Sequence, residues 1–332
     1  MLSELITLVT VEKRKLLEIY ALMVRSRILD QTLLQSRKDK ENKPLVFSGI
    51  GQEAGPATIV SLLKERDYLL PHYRGYAAVL AKGVDLRAIV AEVYGKKTGI
   101  ADGIGGFTNY PDPVHHVSGH GSVMGSVFPA AVGHGLAARY RKDGSIVAAF
   151  FGDGSATRGT FWGSLALSTL WKLPILWVCE NNAFSLSTRS ERLAVTSLTT
   201  QASAMGVKAR RINGNSVLEI FGAAKKAIAR VRAESQPFFL ELATYRVTGH
   251  DSSDSQWYQS LDEIKLWRKK DPLVLLRDKL FLVGYLTPVL EREIAASAKK
   301  EVEEAIDSSG KEKPITVEEF FQKYDERKAV NF

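Results

Sequence analysis

The chain has 332 residues, 45% hydrophobic and 25% charged, with a net charge of +8. That is enough apolar material for a large buried core, and no stretch approaches the ~18 uninterrupted apolar residues of a membrane span. A single cysteine, Cys179, excludes an intramolecular disulfide framework and fits a reducing compartment, so a cytoplasmic location is expected. The basic residues are spread along the chain without an aromatic-rich basic motif, which speaks against nucleic-acid binding.

Thr10 is placed to cap a helix running to about Ser36, with Leu16, Leu17, Tyr20, Val24, Ile28 and Gln31 on one face. The polar run from Arg37 to Pro44 ends it. From Phe47 to about Gly125 the sequence is glycine-rich and reads as helices joined by long functional loops. Apolar runs follow at Ile146 to Phe151, Ile175 to Cys179, Ala209 to Ile212 and Phe238 to Ala243, without polar alternation, as buried parallel strands require. A helix from Val217 to Ala233 opens on the capping box Ser216 to Glu219, and another box, Ser260 to Glu263, opens a charged helix. Strands alternating with helices predict an α/β fold with a doubly wound, mostly parallel sheet. The expected division is a helical arm over 1–45, a binding domain over 46–258 and a helical extension over 259–332.

The chemistry is concentrated in Phe150-Phe-Gly-Asp-Gly-Ser155, followed by Glu180-Asn-Asn182 at the end of the next strand. The first strand turns through Gly152 and Gly154, where backbone can approach a ligand closely. A helix beginning near Ser155 would aim free N–H groups at an anion. Asp153 adds a carboxylate to the same place, and two anions side by side require a cation between them. Asn182 supplies a neutral oxygen, completing an all-oxygen set suited to magnesium.

These segments resemble the diphosphate signature of thiamin-diphosphate enzymes. Gly51-Gln-Glu-Ala54, Pro71-His-Tyr-Arg-Gly75, Leu170-Trp-Lys-Leu-Pro174, Asn213-Gly-Asn215, Thr244-Tyr-Arg246 and Gly249-His-Asp251 extend the likeness. Their order, over about residues 15 to 290, is that of the alpha subunits of 2-oxo acid dehydrogenases. The resemblance implies thiamin diphosphate and Mg2+ as cofactors. It puts Asp153, Asn182 and the Phe184 carbonyl on the metal, and Tyr73, Arg74, Gly152, Gly154 and Ser155 on the diphosphate. Ser122 and Met124 fall at cofactor-contacting positions, Met124 beneath the bent cofactor, and His250 is the pocket histidine that orients substrate or moves protons. It further implies a beta subunit in an alpha2beta2 heterotetramer, a lipoyl acyltransferase core as acyl acceptor, and oxidative decarboxylation of pyruvate or a branched-chain 2-oxo acid. Acetoin dehydrogenase alpha and a silent scaffold subunit are the alternatives, and intact Asp153, Asn182, Arg74 and His250 argue against silence.

The chain departs from the family pattern in several places. Tyr76 stands where many members carry histidine, Gly163 where pyruvate members carry an acid, and Val127 where the potassium loop carries an amide. Asp251 replaces a serine that is phosphorylated in mammalian members. Glu180 and Leu170 to Pro174 look like pyruvate members, whereas Gln236-Pro-Phe238 and Ser260 to Glu263 look like branched-chain ones. The His115-His116-x3-His120 spacing lies in a Pro/Gly-rich loop with no acidic or thiol partner following, so it is not taken as a metal site. No buried strand feeds Gly103-Ile-Gly-Gly106, so it is not a dinucleotide fingerprint.

Overall fold

The computed structural model describes residues 11–36, 44–106, 108–119 and 123–328. Its first elements are α1 (Lys13–Ser36), α2 (Ala54–Val60), β1 (Tyr68–Leu70), α3 (Tyr76–Lys82), α4 (Leu86–Val93) and α5 (Val127–Arg141). The central part follows as β2 (Val147–Gly152), α6 (Gly159–Leu170), β3 (Ile175–Asn181), a short hairpin β4 (Phe184–Ser185) with β5 (Thr188–Arg189), and α7 (Leu198–Ala204). Then come β6 (Lys208–Asn213), α8 (Val217–Glu234) and β7 (Phe238–Ala243). Among the described residues four more helices follow: α9 (Leu261–Arg268), α10 (Pro272–Leu282), α11 (Pro288–Lys311) and α12 (Val317–Lys328).

Five strands form one parallel sheet in the order β1-β2-β3-β7-β6, as the α/β expectation requires. Successive side chains point to opposite faces of a strand, and here both sets are apolar. Ala148, Phe150, Leu176, Val178 and Leu240 pack into one layer with α2 and α8 residues such as Ile59 and Ile220. Ala149, Phe151, Trp177, Cys179 and Phe239 pack into the other, with Phe128 of α5 and Phe161 of α6. Cys179 is a buried core thiol.

Several expectations need correction. The three-residue β1 gives too short an apolar run to read from sequence. β6 pairs with β7 only, at the sheet edge, and of its residues only Ile212 is buried, so it is not a two-sided buried strand. Its charged residues guard that edge against further pairing. The helix expected near Ser155 opens there as a single 3-10 turn over Ser155–Thr157, and the α-helix α6 starts only at Gly159. In α1 the buried residues include Leu16, Ile19, Met23, Leu29 and Leu33, whereas Leu17 and Ile28 are half-buried and Gln31 is exposed. The face is broader than expected because α11 also packs along α1. Thr10 and residues 37–43 lie outside the described residues. Both capping serines act as expected, Ser216 accepting from Glu219 N and Ser260 from Glu263 N. Among the described residues no helix is long and apolar enough to cross a membrane.

Candidate active site

Ligands of open parallel sheets bind beyond the carboxyl ends of the strands. Four such ends converge on one cavity of about 430 Å3. Tyr73 and Arg74 follow β1, Gly152 to Gly154 end β2, Asn182 and Phe184 follow β3, and Arg246 and His250 follow β7. Past the sheet the chains after β3 and β7 stay paired with a one-residue slip, Arg246 N donating to the Asn182 carbonyl at 3.1 Å. That pairing brings residues 64 positions apart side by side.

Two guanidinium groups give the cavity its charge. Arg74 is buried, with Nη1 donating to the Ser48 carbonyl at 3.2 Å and Nη2 to the His250 carbonyl at 2.6 Å. Its guanidinium also lies over the rings of Phe47 and Tyr73, 5.5 and 5.3 Å from their centroids. Arg246 is buried and reaches the Phe184 and Leu186 carbonyls and the Tyr258 hydroxyl. The Nε of each arginine is buried without a hydrogen-bond partner among the described residues, so each retains an N–H to give. Two buried cations with unspent donors suit an oxyanion carrying several charges, as a diphosphate does.

Next to Arg246, which already touches the Phe184 carbonyl, is an oxygen-rich corner. Asp153 is buried, and burial pushes its carboxyl above the usual range. One carboxylate oxygen accepts from Ser190 Oγ and the other from Asn182 N at 3.4 Å. Ala183 then adopts a left-handed backbone with φ of +71°, uncommon for a residue with a side chain. The turn lets Asn182 Oδ1 accept from Phe184 N at 3.3 Å, while Asn182 Nδ2 donates to Gln52 Oε1 at 2.9 Å. Asp153, the Asn182 amide oxygen and the Phe184 carbonyl thus come from two adjacent strand ends. Among the described residues no three His, Cys, Asp or Glu side chains gather to hold a metal, so a cation here relies on this mixed oxygen set.

Met124 lines the cavity, and Ser155 sits behind it with its hydroxyl 3.7 Å from the Met124 sulfur, off the cavity wall. The close approach expected at Gly154 is to the chain itself, since a Cβ there would fall 2.3 Å from Ser185 Oγ. His250 is held at about 4, well below the ordinary histidine value, by burial and by the neighbouring charges of Arg74 and Arg246. Ser122 lies outside the described residues.

A family model described as "Dehydrogenase E1 component" matches residues 20–318. The chain belongs to the dehydrogenase E1 component family. The pyruvate dehydrogenase E1 component subunit alpha of Zymomonas mobilis is 35% identical over 265 residues, covering 79% of this chain and 75% of that one. The corresponding subunit of Rickettsia felis is 32% identical over 77% of this chain and 79% of its own length. The testis-specific mitochondrial form of Rattus norvegicus is 34% identical over 77% of this chain and 65% of its own length. This E1 alpha chain is therefore part of a thiamin-diphosphate-dependent 2-oxo acid dehydrogenase, whose reaction is oxidative decarboxylation of a 2-oxo acid.

In this E1 alpha chain the cavity also draws on residues that the motif reading passed over. Arg246 stands in the sequence only within Thr244-Tyr-Arg246, where nothing local marks it as buried. His72 lines the cavity beneath Tyr73, ring centroids 4.0 Å apart, with Glu180 3.9 Å away. Burial raises that glutamic acid to about 8. Tyr76 is buried and pairs its hydroxyl with that of Tyr110 at 3.2 Å, away from the cavity wall. Gly163 lies on the exposed side of α6 with open space around it. His115 bonds Asp112 at 2.6 Å, and His120 is outside the described residues.

Proposed function

We propose that the cavity beyond the carboxyl ends of β1, β2, β3 and β7 holds the diphosphate of thiamin diphosphate together with Mg2+. The observation that carries this reading is one cavity lined together by two buried guanidiniums, a buried carboxylate, a buried amide and the Phe184 backbone. Asp153, Asn182 and the Phe184 carbonyl bind the cation, and Tyr73, Arg74 and Arg246 hold the diphosphate, with Gly152 and Gly154 forming the floor. Magnesium prefers six oxygens at close range, so diphosphate oxygens and water complete its shell. Ser155 supports Met124, which presents its apolar side chain to the cofactor rings.

When bound, thiamin diphosphate supplies a nucleophilic carbon and an electron sink for decarboxylation. His250 works beside it as a neutral imidazole. A guanidinium only donates, so the 3.1 Å contact from Arg74 Nη2 makes His250 Nδ1 the acceptor. The ring proton therefore sits on Nε2, where it is available to orient the substrate or to be passed on.

The substrate we assign is pyruvate, supported by relatives whose printed names are pyruvate dehydrogenase. The active assembly is an alpha2beta2 heterotetramer in the cytoplasm that passes its acyl group to a lipoyl acyltransferase. Decarboxylation by the chain assembled with its beta subunit, measured with pyruvate, 2-oxoisovalerate and acetoin, tests this. A kcat/KM for pyruvate at least tenfold above the other two is expected, and a preference for either of them overturns the assignment.

A further inference from the structure

The Asn182 side chain can serve a cation only if its oxygen, not its nitrogen, faces the metal corner. A carboxamide has nearly the same shape in both orientations, so something must choose between them. Phe184 N lies 3.3 Å from one end of the amide and can only donate, which makes that end the oxygen. The other end is then the nitrogen, and it donates to Gln52 Oε1 at 2.9 Å. Asn182 and Gln52 are both buried, 3 and 4% exposed, so bulk water is a poor substitute for either partner.

Gln52 is itself pinned. Its N–H donates to the Gly49 carbonyl at 2.9 Å, and Thr244 Oγ1 donates to the adjoining Gly51 carbonyl at 3.4 Å. Arg27 grips the neighbouring Glu53 through two nitrogens. Gln52 Nε2 has no hydrogen-bond partner among the described residues. Turning both amides end for end would not relieve it, because the Asn182 nitrogen would then face the Phe184 N–H, donor against donor.

We infer that Gln52 is a positioning residue for the cation site: by accepting from Asn182 Nδ2 it commits the Asn182 oxygen to the metal. The inference rests on the cation site proposed above. A carbonyl oxygen has two lone pairs, so Oδ1 can keep the Phe184 contact and still ligate. Partners of this kind, one step behind the ligand, typically change metal affinity by about 10- to 100-fold.

The test is a calorimetric titration of thiamin diphosphate into the chain assembled with its beta subunit, across a series of magnesium chloride concentrations. Gln52→Leu removes the acceptor and should raise the magnesium concentration for half-maximal cofactor binding about 10- to 100-fold. Gln52→Glu keeps an acceptor oxygen at the same place and should remain within about threefold of wild type. With Asn182→Asp the two ends of the side chain are alike, so adding Gln52→Leu to that variant should change magnesium dependence by less than about threefold. This non-additivity is not expected of a residue that merely supports the fold. If Gln52→Leu does not assemble, Gln52→Met also lacks the acceptor and carries the same expectation. Wild-type magnesium dependence in Gln52→Leu or Gln52→Met overturns the inference, as does an equal loss in the Asn182→Asp background. If Asn182→Ala also leaves magnesium dependence unchanged, the cation site itself is wrong; if Asn182→Ala loses it, only the role of Gln52 falls.

Discussion

Arg74 touches His250 at two points through one nitrogen, Nη2 lying 3.1 Å from the ring Nδ1 and 2.6 Å from the backbone carbonyl. The contact joins the end of β1 to the loop after β7, and it fixes the tautomer of the ring as well as its place. Arg74→Lys keeps the charge but loses the planar fork that reaches His250 and Ser48 together. Thiamin diphosphate should bind about 10- to 100-fold more weakly to the assembled variant, the range for losing a charged hydrogen bond. Calorimetric titration reads this directly, and unchanged affinity would remove Arg74 from the site.

Acid titration gives a second outcome. His250 is held at about 4, against an ordinary value of 6.5, first by burial and then by Arg74 and Arg246. Because the folded value is the lower one, the unfolded chain takes up this proton first as the pH falls. The stability tied to neutral His250 is therefore complete above about pH 6.5 and is lost progressively down to about pH 4. An NMR titration of the histidine ring protons, assigned with His250→Asn, should show one ring titrating near pH 4. A His250 midpoint near 6.5 would contradict the burial and charge placed around it.

The sequence made the two central strand ends legible because β2 and β3 are apolar on both faces and stop at Gly152-Asp-Gly154 and Asn181-Asn182. Local pattern was enough there. It was not enough at β6, where the apolar positions between Lys208 and Asn213 resembled a buried strand although the charged ones mark an edge. Nor could it reveal Gln52, whose partner Asn182 is 130 positions away, or Ser190, whose bond to Asp153 depends on the hairpin turning back. Contacts of this kind are set by the three-dimensional packing of strand ends and leave no periodic trace.

The loop carrying His250 is ordered by its own carboxylates. Asp251 Oδ1 accepts from Ser253 N at 2.6 Å and from Ser253 Oγ at 2.5 Å, while Asp254 accepts from His250 N at 2.6 Å. Asp251 therefore acts as a turn residue. Asp251→Ala should raise KM for the 2-oxo acid roughly fivefold, about 1 kcal/mol for the lost hydrogen bonds, with little change in thermal midpoint. Faster amide exchange confined to residues 251–256 would accompany it. An unchanged KM together with unchanged exchange would show the turn does not depend on Asp251.

A largely buried ion-pair network ties α1 to two other elements. Arg27 meets both oxygens of Glu53 and both oxygens of Asp271, joining α1 to the turn before α2 and to the start of α10. The Glu53 side chain is 1% exposed, so removing its partner leaves a buried acid uncompensated. Arg27→Met should destabilise the chain by about 3–5 kcal/mol in denaturant unfolding. A loss below about 1 kcal/mol would mean that water or another group replaces the pair.

In the site proposed above, Asp153, with Asn182 and the Phe184 carbonyl, holds Mg2+ against the diphosphate of thiamin diphosphate. The most direct measurement is cofactor binding by the chain assembled with its beta subunit, titrated with and without magnesium, for wild type and Asp153→Ala. Wild type should need magnesium for tight binding. Asp153→Ala, with its circular dichroism spectrum unchanged, should lose at least about 100-fold in affinity and nearly all response to magnesium, because it removes the only carboxylate in the proposed ligand set. Tight, magnesium-dependent binding by Asp153→Ala would contradict the account.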